Sequence, residues 1–89
     1  MMTLNPEIEH RSSKGTSLAD LTPRELEILQ LVIAGKTNKG IAGEIRISAK
    51  TVEFHLDNIY RKIGVRTRLM AGIWAIQHGM QVTAKLIPG

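Results

Sequence analysis

The amino-acid sequence predicts an all-α fold, a compact domain of four helices. Three observations predict it. Apolar residues recur every three or four positions in four separate segments, the spacing of helices that bury one face. No segment alternates between apolar and polar residues as a half-buried β-strand does. A residue suited to helix capping precedes each segment, and the length of 89 residues suggests one domain with a modest core.

The first helix is predicted to begin after Thr22. This residue can act as the N-cap, Pro23 suits the first helical position, and Glu25 stands where it can complete a capping box. Gly35 is expected to end the helix because glycine adopts the left-handed conformation readily. The apolar residues between these points are Leu26, Ile28, Leu29, Leu31, Val32 and Ile33.

A second, short helix is expected from the cap at Thr37 to about Ile45. Its buried face would consist of Ile41, Ala42 and Ile45. Gly40 stands at the third position, where a Glu or Gln would complete the capping box. Only half of that box can therefore form.

A turn at Arg46-Ile47-Ser48 leads into a third helix, expected over about 49–62. Ser48 is the predicted cap of this helix, and Gly64 is expected to end it. Its core stripe consists of Val52, Leu56, Ile59 and Ile63. Two short helices joined by about three residues, the second being the longer, fit a helix-turn-helix.

A fourth helix is predicted between the cap at Thr67 and Gly79. Its apolar positions are Leu69, Met70, Ile73, Trp74 and Ile76. We interpret Trp74 and the Met residues as packing in the core or on a dimer face, since a helical apolar stripe is more often core than a cofactor site.

The domain boundaries follow from where the apolar periodicity starts and stops. The helical domain is assigned to residues 20–82. Residues 1–19 are polar and lack periodicity, so we expect a flexible leader or linker there, and residues 83–89 form a C-terminal tail. Leu18 and Leu21 are candidates for docking on the first helix.

Composition argues against several classes of function. The chain has no cysteine, so it has no disulfide, thiolate zinc site or cysteine nucleophile. It has no long apolar run and no signal peptide, so we expect a cytoplasmic protein without a membrane partner. The histidines His10, His55 and His78 are scattered, and we interpret His55 as packed at the edge of the core. We expect no enzyme, and no catalytic residue, metal or cofactor.

The positive charge of the chain lies in one segment. The net charge is +4, but the stretch from Lys36 to Arg68 has eight Lys and Arg residues against three acidic residues, a net +5. The rest of the chain carries −1. This pattern favours a polyanionic partner such as nucleic acid, although a solvated surface would look similar.

The outer face of the third helix carries a mixture of side chains suited to base recognition. At about 100° per residue, four residues point away from the core stripe, and Glu53 and Asn58 lie on the shoulders of that outer face. Lys50 and Arg61 can reach guanine edges or phosphates, and the amide of Asn58 can pair with adenine. The carboxylates of Glu53 and Asp57 can accept from the cytosine amino group, and the phenyl ring of Phe54 can lie against a thymine methyl. The predicted base-facing residues are Lys50, Glu53, Phe54, Asp57, Asn58 and Arg61.

The N-termini of the second and third helices supply a second class of contact. Backbone N–H groups and the helix dipole favour phosphate there. The residues placed in this way are Thr37, Asn38, Lys39, Ser48, Lys50 and Thr51.

Structural interpretations of these residues stay open. Phe54 could be a satellite core residue covered by the leader. Glu53 and Asp57 could form ion pairs with neighbouring cations, such as Asp57 with Arg61. The hydroxyls at the start of the third helix would cap it without any DNA. The cations that could be ordinary solvated charges are Lys36 and Arg46.

Several segments of the chain together match the pattern of one family. They are Leu21-Thr22-Pro23-Arg24-Glu25, Glu27-Ile28-Leu29, Ala34-Gly35-Lys36-Thr37-Asn38-Lys39, Ile41-Ala42, Ile47-Ser48-Ala49-Lys50-Thr51-Val52, His55-Leu56, Asn58-Ile59, Lys62-Ile63-Gly64-Val65, Arg68 and Ala71. With these residues the chain resembles the LuxR-type helix-turn-helix family over about residues 21–80. The resemblance is specific because many residue types recur at fixed spacings.

The resemblance implies a DNA-binding domain of bacterial transcription regulators, which usually follows a receiver or an autoinducer-binding domain. It implies binding to double-stranded DNA as a dimer, with the third helix in the major groove and the fourth helix in the dimer contact. RNA polymerase is a further candidate partner. Base contacts would come from Glu53, Phe54 and Asp57. Phosphate contacts would come from Asn38, Lys39, Ser48, Lys50, Thr51, Lys62 and Arg68, to which we add Arg66 from the same basic segment. The homodimer interface is assigned to Leu69, Ile73 and Ile76.

The chain departs from the family pattern at three positions. Gly40 stands where the family usually has an acidic residue, and several members have Lys at the positions of Glu53 and Asp57. The predicted DNA face is therefore more acidic than in those members. This difference motivates an alternative function, a helical protein-interaction module that heterodimerises with a full-length regulator without reading DNA itself.

Overall fold

The computed structural model describes residues 16–82, which fold into helices joined by short turns. A short 3-10 helix precedes four α-helices, and this part of the chain contains no β-strand. The 3-10 helix is Leu18–Asp20, and the α-helices are α1 Pro23–Ile33, α2 Asn38–Ile45, α3 Ala49–Ile63 and α4 Arg68–Gln77. The predicted all-α, four-helix fold is confirmed. The predictions for residues 1–15 and 83–89 lie outside the described residues.

Local hydrogen bonds fix both ends of α1 as the sequence predicts. The Thr22 hydroxyl accepts from the Glu25 N–H at 3.0 Å, and the Glu25 carboxylate accepts from the Thr22 N–H at 2.9 Å, so the capping box is complete. Gly35 follows the helix with a φ of +89°, and the Lys36 N–H donates to the Leu31 carbonyl at 3.1 Å. This left-handed ending satisfies carbonyls that the helix itself leaves without donors.

The predicted three-residue turn joins α2 to α3. Thr37 caps α2 by accepting from the Gly40 N–H at 3.0 Å, and Ser48 caps α3 by accepting from the Thr51 N–H at 3.0 Å. Arg46 ends α2 in the left-handed conformation, with a φ of 57° and a ψ of 49°. The backbone changes direction at this residue, so α2 and α3 form a helix-turn-helix.

The core lies where α3 packs against the other helices. The predicted stripe of α3 is buried, and it consists of Val52, Leu56, Ile59 and Ile63. The other buried apolar residues are Leu21, Ile28, Leu29, Val32, Ile41, Ala42, Ala71 and Ala75. Full burial of one Val, Leu or Ile side chain contributes about 1.5–3 kcal/mol to the free energy of folding. This packing fixes the orientation of α3 and leaves its opposite face in solvent.

Small residues of α4 make its contact with the core. Ala71 and Ala75 are fully buried, and a Cβ added at Gly72 would lie 3.7 Å from Cγ2 of Ile33 on α1. The larger apolar residues of α4 that remain exposed are Leu69, Met70, Ile73 and Ile76. Trp74, interpreted as core or dimer-face packing, is half-buried against the core, as is Met80, whereas Met70 is exposed. Despite this exposed apolar surface, no helix within residues 16–82 has the length and apolar character needed to cross a membrane.

The described end of the predicted leader lies against the helical domain. Ser17 and Asp20 form a capping box around the 3-10 helix, and the Thr16 hydroxyl donates to the Lys62 carbonyl at 2.8 Å. Leu21 is buried and Leu18 is half-buried. The domain boundaries themselves stay a prediction.

Candidate nucleic-acid interface

The outer face of α3 points into solvent. The predicted base-facing residues that are exposed are Lys50, Glu53, Phe54, Asp57 and Arg61. The sixth, Asn58, is half-buried on the shoulder of the helix. The fold therefore exposes five of the six and places Asn58 at the edge of this face.

The two carboxylates on this face form no ion pair within residues 16–82. Arg61, the cation considered as a partner of Asp57, donates instead from Nη2 to Oδ1 of Asn58 at 2.9 Å. Glu53 and Asp57 therefore remain available as acceptors. A carboxylate in this position in the major groove can accept from the amino group of cytosine.

Phe54 is 60% exposed. Its ring makes an edge contact with the ring of His55, with the centroids 5.8 Å apart and an interplanar angle of 63°. The described part of the chain does not cover Phe54, so the satellite-core interpretation finds no support there. His55 is half-buried beside it.

Exposed cations stand beside the N-termini of α2 and α3. Lys39 lies in the first turn of α2 and Lys50 in the first turn of α3. Each cap hydroxyl accepts from one N–H group in the first turn of its helix. The Ser48 and Thr51 hydroxyls are also hydrogen-bonded to each other, at 2.9 Å. The other first-turn N–H groups have no acceptor within their helix, which is the arrangement that binds phosphate.

Arg68 links the start of α4 to the start of α2. Its Nη1 donates to Oδ1 of Asn38 at 2.7 Å, and its Nη2 donates to the carbonyl oxygen of Lys36 at 2.6 Å. The Lys36 side chain pairs with Glu44 at 3.3 Å. Two predicted phosphate contacts, Asn38 and Arg68, thus contact each other, whereas Arg66 is exposed.

Lys62 links the end of α3 to the start of α1. Its Nζ donates to Oε1 of Glu25 at 2.8 Å, and Glu25 is only 4% exposed. Burial alone would raise the pKa of Glu25, but hydrogen bonds from Lys62 and Thr22, together with the Lys62 charge, outweigh it. The pKa of Glu25 therefore lies below its ordinary value.

Tyr60, which the sequence pattern did not single out, belongs to the same surface. It lines a groove of about 220 Å³ together with Asn38, Glu53, Leu56, Asp57 and Arg68. Burial raises the pKa of its hydroxyl, Arg68 acts in the opposite direction and Asp57 adds to the rise. Tyr60 follows Asp57 by three residues and Leu56 by four, so on the helix it adjoins both the outer face and the core stripe. This spacing is the sequence signal that could have identified it.

A second, apolar groove of about 530 Å³ lies between α1 and α4. Its lining residues are Val32, Ile33, Arg68, Leu69, Gly72, Ile73 and Ile76. All three residues predicted for the dimer interface are among them. They recur on α4 at intervals of four and three residues, so they form a single apolar stripe.

These features define a class of protein. A helix-turn-helix presents a mixed polar and aromatic face on its second helix, and cations flank two helix N-termini. Within residues 16–82, no cluster of three or more His, Asp or Glu side chains is arranged to hold a metal ion. This is the architecture of helix-turn-helix DNA-binding domains.

A family model described as bacterial regulatory proteins, luxR family, matches residues 19–75. The chain belongs to this family, which is a class of DNA-binding transcription regulators and not a class of enzymes.

Named relatives in two bacterial species are similar to this chain. The transcriptional regulatory protein LiaR of Bacillus subtilis is 43% identical over 68 residues, which cover 76% of this chain and 32% of LiaR. The transcriptional regulatory protein LnrK of the same species is 41% identical over 69 residues, covering 78% of this chain and 31% of LnrK. The response regulator protein VraR of Staphylococcus aureus is 40% identical over 74 residues, covering 82% of this chain and 35% of VraR. The chain thus spans about a third of the length of these relatives.

Proposed function

We propose that this domain binds double-stranded DNA in a sequence-specific manner and regulates bacterial transcription, with α3 in the major groove. The observation that carries the proposal is the outer face of α3. Its carboxylates accept from no cation within the described residues, its phenyl ring is exposed, and cations stand at both ends of the face. A face that served only solubility would pair its charges with one another and would not expose a phenyl ring.

The base contacts divide by the chemistry of the side chains. Glu53 and Asp57 accept from cytosine amino groups, Phe54 lies against a thymine methyl, and Lys50 and Arg61 donate to guanine or to phosphate. The amide of Asn58, predicted to pair with adenine, shares its oxygen with Arg61 and so acts together with that guanidinium.

The phosphate contacts lie around the two helix N-termini. Those of α2 and α3 offer N–H groups that the caps leave unused. The side chains proposed to accompany them are Thr37, Asn38, Lys39, Ser48 and Thr51, and Arg66, in the segment between α3 and α4, is a further proposed contact.

The apolar stripe of α4 supports dimer formation with a second copy of the chain. Leu69, Ile73 and Ile76 are exposed, and such a contiguous apolar surface on a small domain marks an interaction site. A dimer contacts two half-sites, which matches repeated DNA sites.

The relatives suggest the setting in which the domain works. They are named transcriptional regulatory and response regulator proteins and are about three times as long as the matched segment. We propose that this domain is the DNA-binding output part of such a regulator, acting in the bacterial cytoplasm where the DNA lies. RNA polymerase is then a partner at the promoter.

The experiment that tests the proposal selects duplexes from a randomised pool with the full chain and measures their affinity at several salt concentrations. We expect an enriched consensus and an affinity that falls steeply as salt rises. Lys50→Ala and Arg61→Ala should each weaken binding by roughly tenfold, as loss of one good base or phosphate contact does. A pool without enrichment, together with salt-insensitive binding, would contradict the proposal.

The exposed stripe of α4 also favours one alternative, a module that heterodimerises with a full-length regulator and does not itself read DNA. Partner capture that survives Phe54→Ala while no duplex is enriched would support this alternative. Specific binding by the isolated chain would exclude it.

A further inference from the structure

Two cations that the family resemblance assigns to phosphate direct their donors at the protein itself. Lys62 donates to Glu25 and Arg68 donates to Asn38 and Lys36. We infer that Arg68 and Lys62 are positioning residues, which hold the start of α2 and the end of α3 for DNA contact, and that neither is a phosphate ligand. The inference rests on the proposed DNA-binding function.

The guanidinium of Arg68 bridges the N-cap of α2. Its two acceptors, the Lys36 carbonyl at 2.6 Å and the Asn38 amide oxygen at 2.7 Å, lie on either side of the cap residue Thr37. A planar fork can hold two such acceptors at once, which a lysine ammonium cannot do as well. Arg68 therefore fixes the direction of the α2 N–H groups proposed to meet phosphate. Turning the guanidinium toward DNA would release that end of the helix.

The ammonium of Lys62 neutralises a carboxylate that has little access to water. Glu25 is 4% exposed and its other role is to complete the cap of α1. Withdrawing the ammonium toward a phosphate would leave this carboxylate buried without its cation, which is unfavourable. The Lys62 carbonyl accepts from Thr16, so the end of α3 is held at its side chain and at its backbone.

Other cations of the basic segment are placed differently. Lys39, Lys50 and Arg66 are exposed, and within residues 16–82 their side chains make neither the ion pair that Lys62 makes nor the hydrogen bonds that Arg68 makes. They can approach phosphate without breaking a contact inside the protein. Counterion release on DNA binding should therefore come from these cations and not from Lys62 or Arg68.

The slope of log affinity against log salt concentration separates the two kinds of cation. Each phosphate neutralised on B-DNA contributes about −0.9 to the slope. With the full chain and one selected duplex, Lys39→Ala should make the slope shallower by about 0.9 for each copy of the chain bound, and so by about 1.8 for a dimer. Arg68→Ala and Lys62→Ala should lower the affinity at any one salt concentration, on the order of tenfold, while changing the slope by less than half as much as Lys39→Ala does. A slope change equal to that of Lys39→Ala would overturn the inference for that residue.

Conservative substitutions at the same two positions test the inference if the alanine variants do not fold. Arg68→Lys keeps the charge but loses the fork, so it should bind DNA about as weakly as Arg68→Ala. Lys62→Arg keeps a donor for Glu25 and should retain near wild-type affinity. Full affinity in Arg68→Lys would identify a simple phosphate ligand and contradict positioning.

A measurement without DNA separates failure of this inference from failure of the proposed function. If the wild-type chain enriches no duplex, the proposed function fails, and amide resonances of the free protein still test the positioning. Arg68→Lys should shift the resonances of Asn38 and Lys39 at the start of α2, whereas those of the α3 core stripe stay in place. Unchanged resonances at the start of α2 would overturn the positioning role of Arg68.

Discussion

At the residue scale, Arg46 occupies a backbone conformation that costs free energy. It is exposed and lies at the end of α2 with a φ of 57°, in the left-handed region that suits glycine. A residue with a Cβ is destabilised there by about 1–2 kcal/mol. The helix-turn-helix therefore contains a small local strain in its turn.

Arg46→Gly should relieve this strain. We expect the free energy of unfolding to rise by about 0.5–1 kcal/mol, because the added flexibility of glycine in the unfolded chain offsets part of the gain. Urea denaturation of the two proteins measures the change. Arg46→Ala is the matched control and should give no gain, since alanine keeps the Cβ. Equal stabilisation by both variants would show that the arginine side chain, and not the backbone, is the source.

Glu25 gives the stability of the domain a dependence on pH. Because its pKa is lowered in the folded protein, its stabilising contribution is complete above the ordinary glutamate pKa. The contribution is lost as pH falls through the lowered folded-state value.

Glu25→Gln should therefore lower the free energy of unfolding at pH 7 by about 1–2 kcal/mol, through loss of the charge-assisted hydrogen bond to Lys62. The gap between wild type and variant should narrow as the pH falls from about 5 toward 3. Urea denaturation across this range provides the measurement. Glu27→Gln, which alters only an exposed pair with Arg24, should change stability by less than about 0.5 kcal/mol. A gap that stays constant down to pH 3 would contradict the role of the Glu25 charge.

Both faces of α4 are apolar, but they differ in the size of their side chains. The face toward the core consists of small residues, Ala71 and Ala75, and the larger apolar residues point outward. Leu69 is 71% exposed. Such an exposed apolar stripe marks an interaction surface, so it supports the proposed dimer contact.

Ile73→Glu should abolish that contact without unfolding the domain. We expect binding to a single half-site to be retained and cooperative occupation of two half-sites to be lost, because a carboxylate would lie in the apolar groove. Gel-shift titration on single and paired sites makes the comparison. Met70→Glu is the control, since Met70 is exposed but does not line the groove, and it should remain cooperative. Equal cooperativity in Ile73→Glu and wild type would argue against this interface.

The elements also show what local sequence can predict. The caps at Thr22, Thr37 and Ser48 were predictable because a cap depends on a few neighbouring residues. The core stripe of α3 followed from its single apolar face. The buried face of α4 did not follow from periodicity, because that helix has apolar residues on both faces and its packing against α1 and α3 decides which face is inside. Contacts between distant residues, such as Lys62 with Glu25, leave no periodic signal in the sequence.

At the scale of the whole molecule, charge and fold combine on one surface. The basic segment from Lys36 to Arg68 carries a net +5 and contains the helix-turn-helix and the start of α4. Long-range attraction to DNA follows from this charge. The carboxylates on α3 reduce this general attraction to DNA phosphate. Their presence on the outer face therefore supports recognition of particular bases.

The most direct test of the central claim, that the outer face of α3 reads bases, is the consensus duplex selected by Glu53→Lys. Reversing the charge of one side chain that contacts a base should change the preference at that base pair, from the amino group of cytosine to the acceptors of guanine, and leave the other positions unchanged. Glu44→Lys makes the same change of charge on α2, away from this face, and should keep the wild-type consensus. An identical consensus from all three proteins would contradict the claim that α3 reads the sequence.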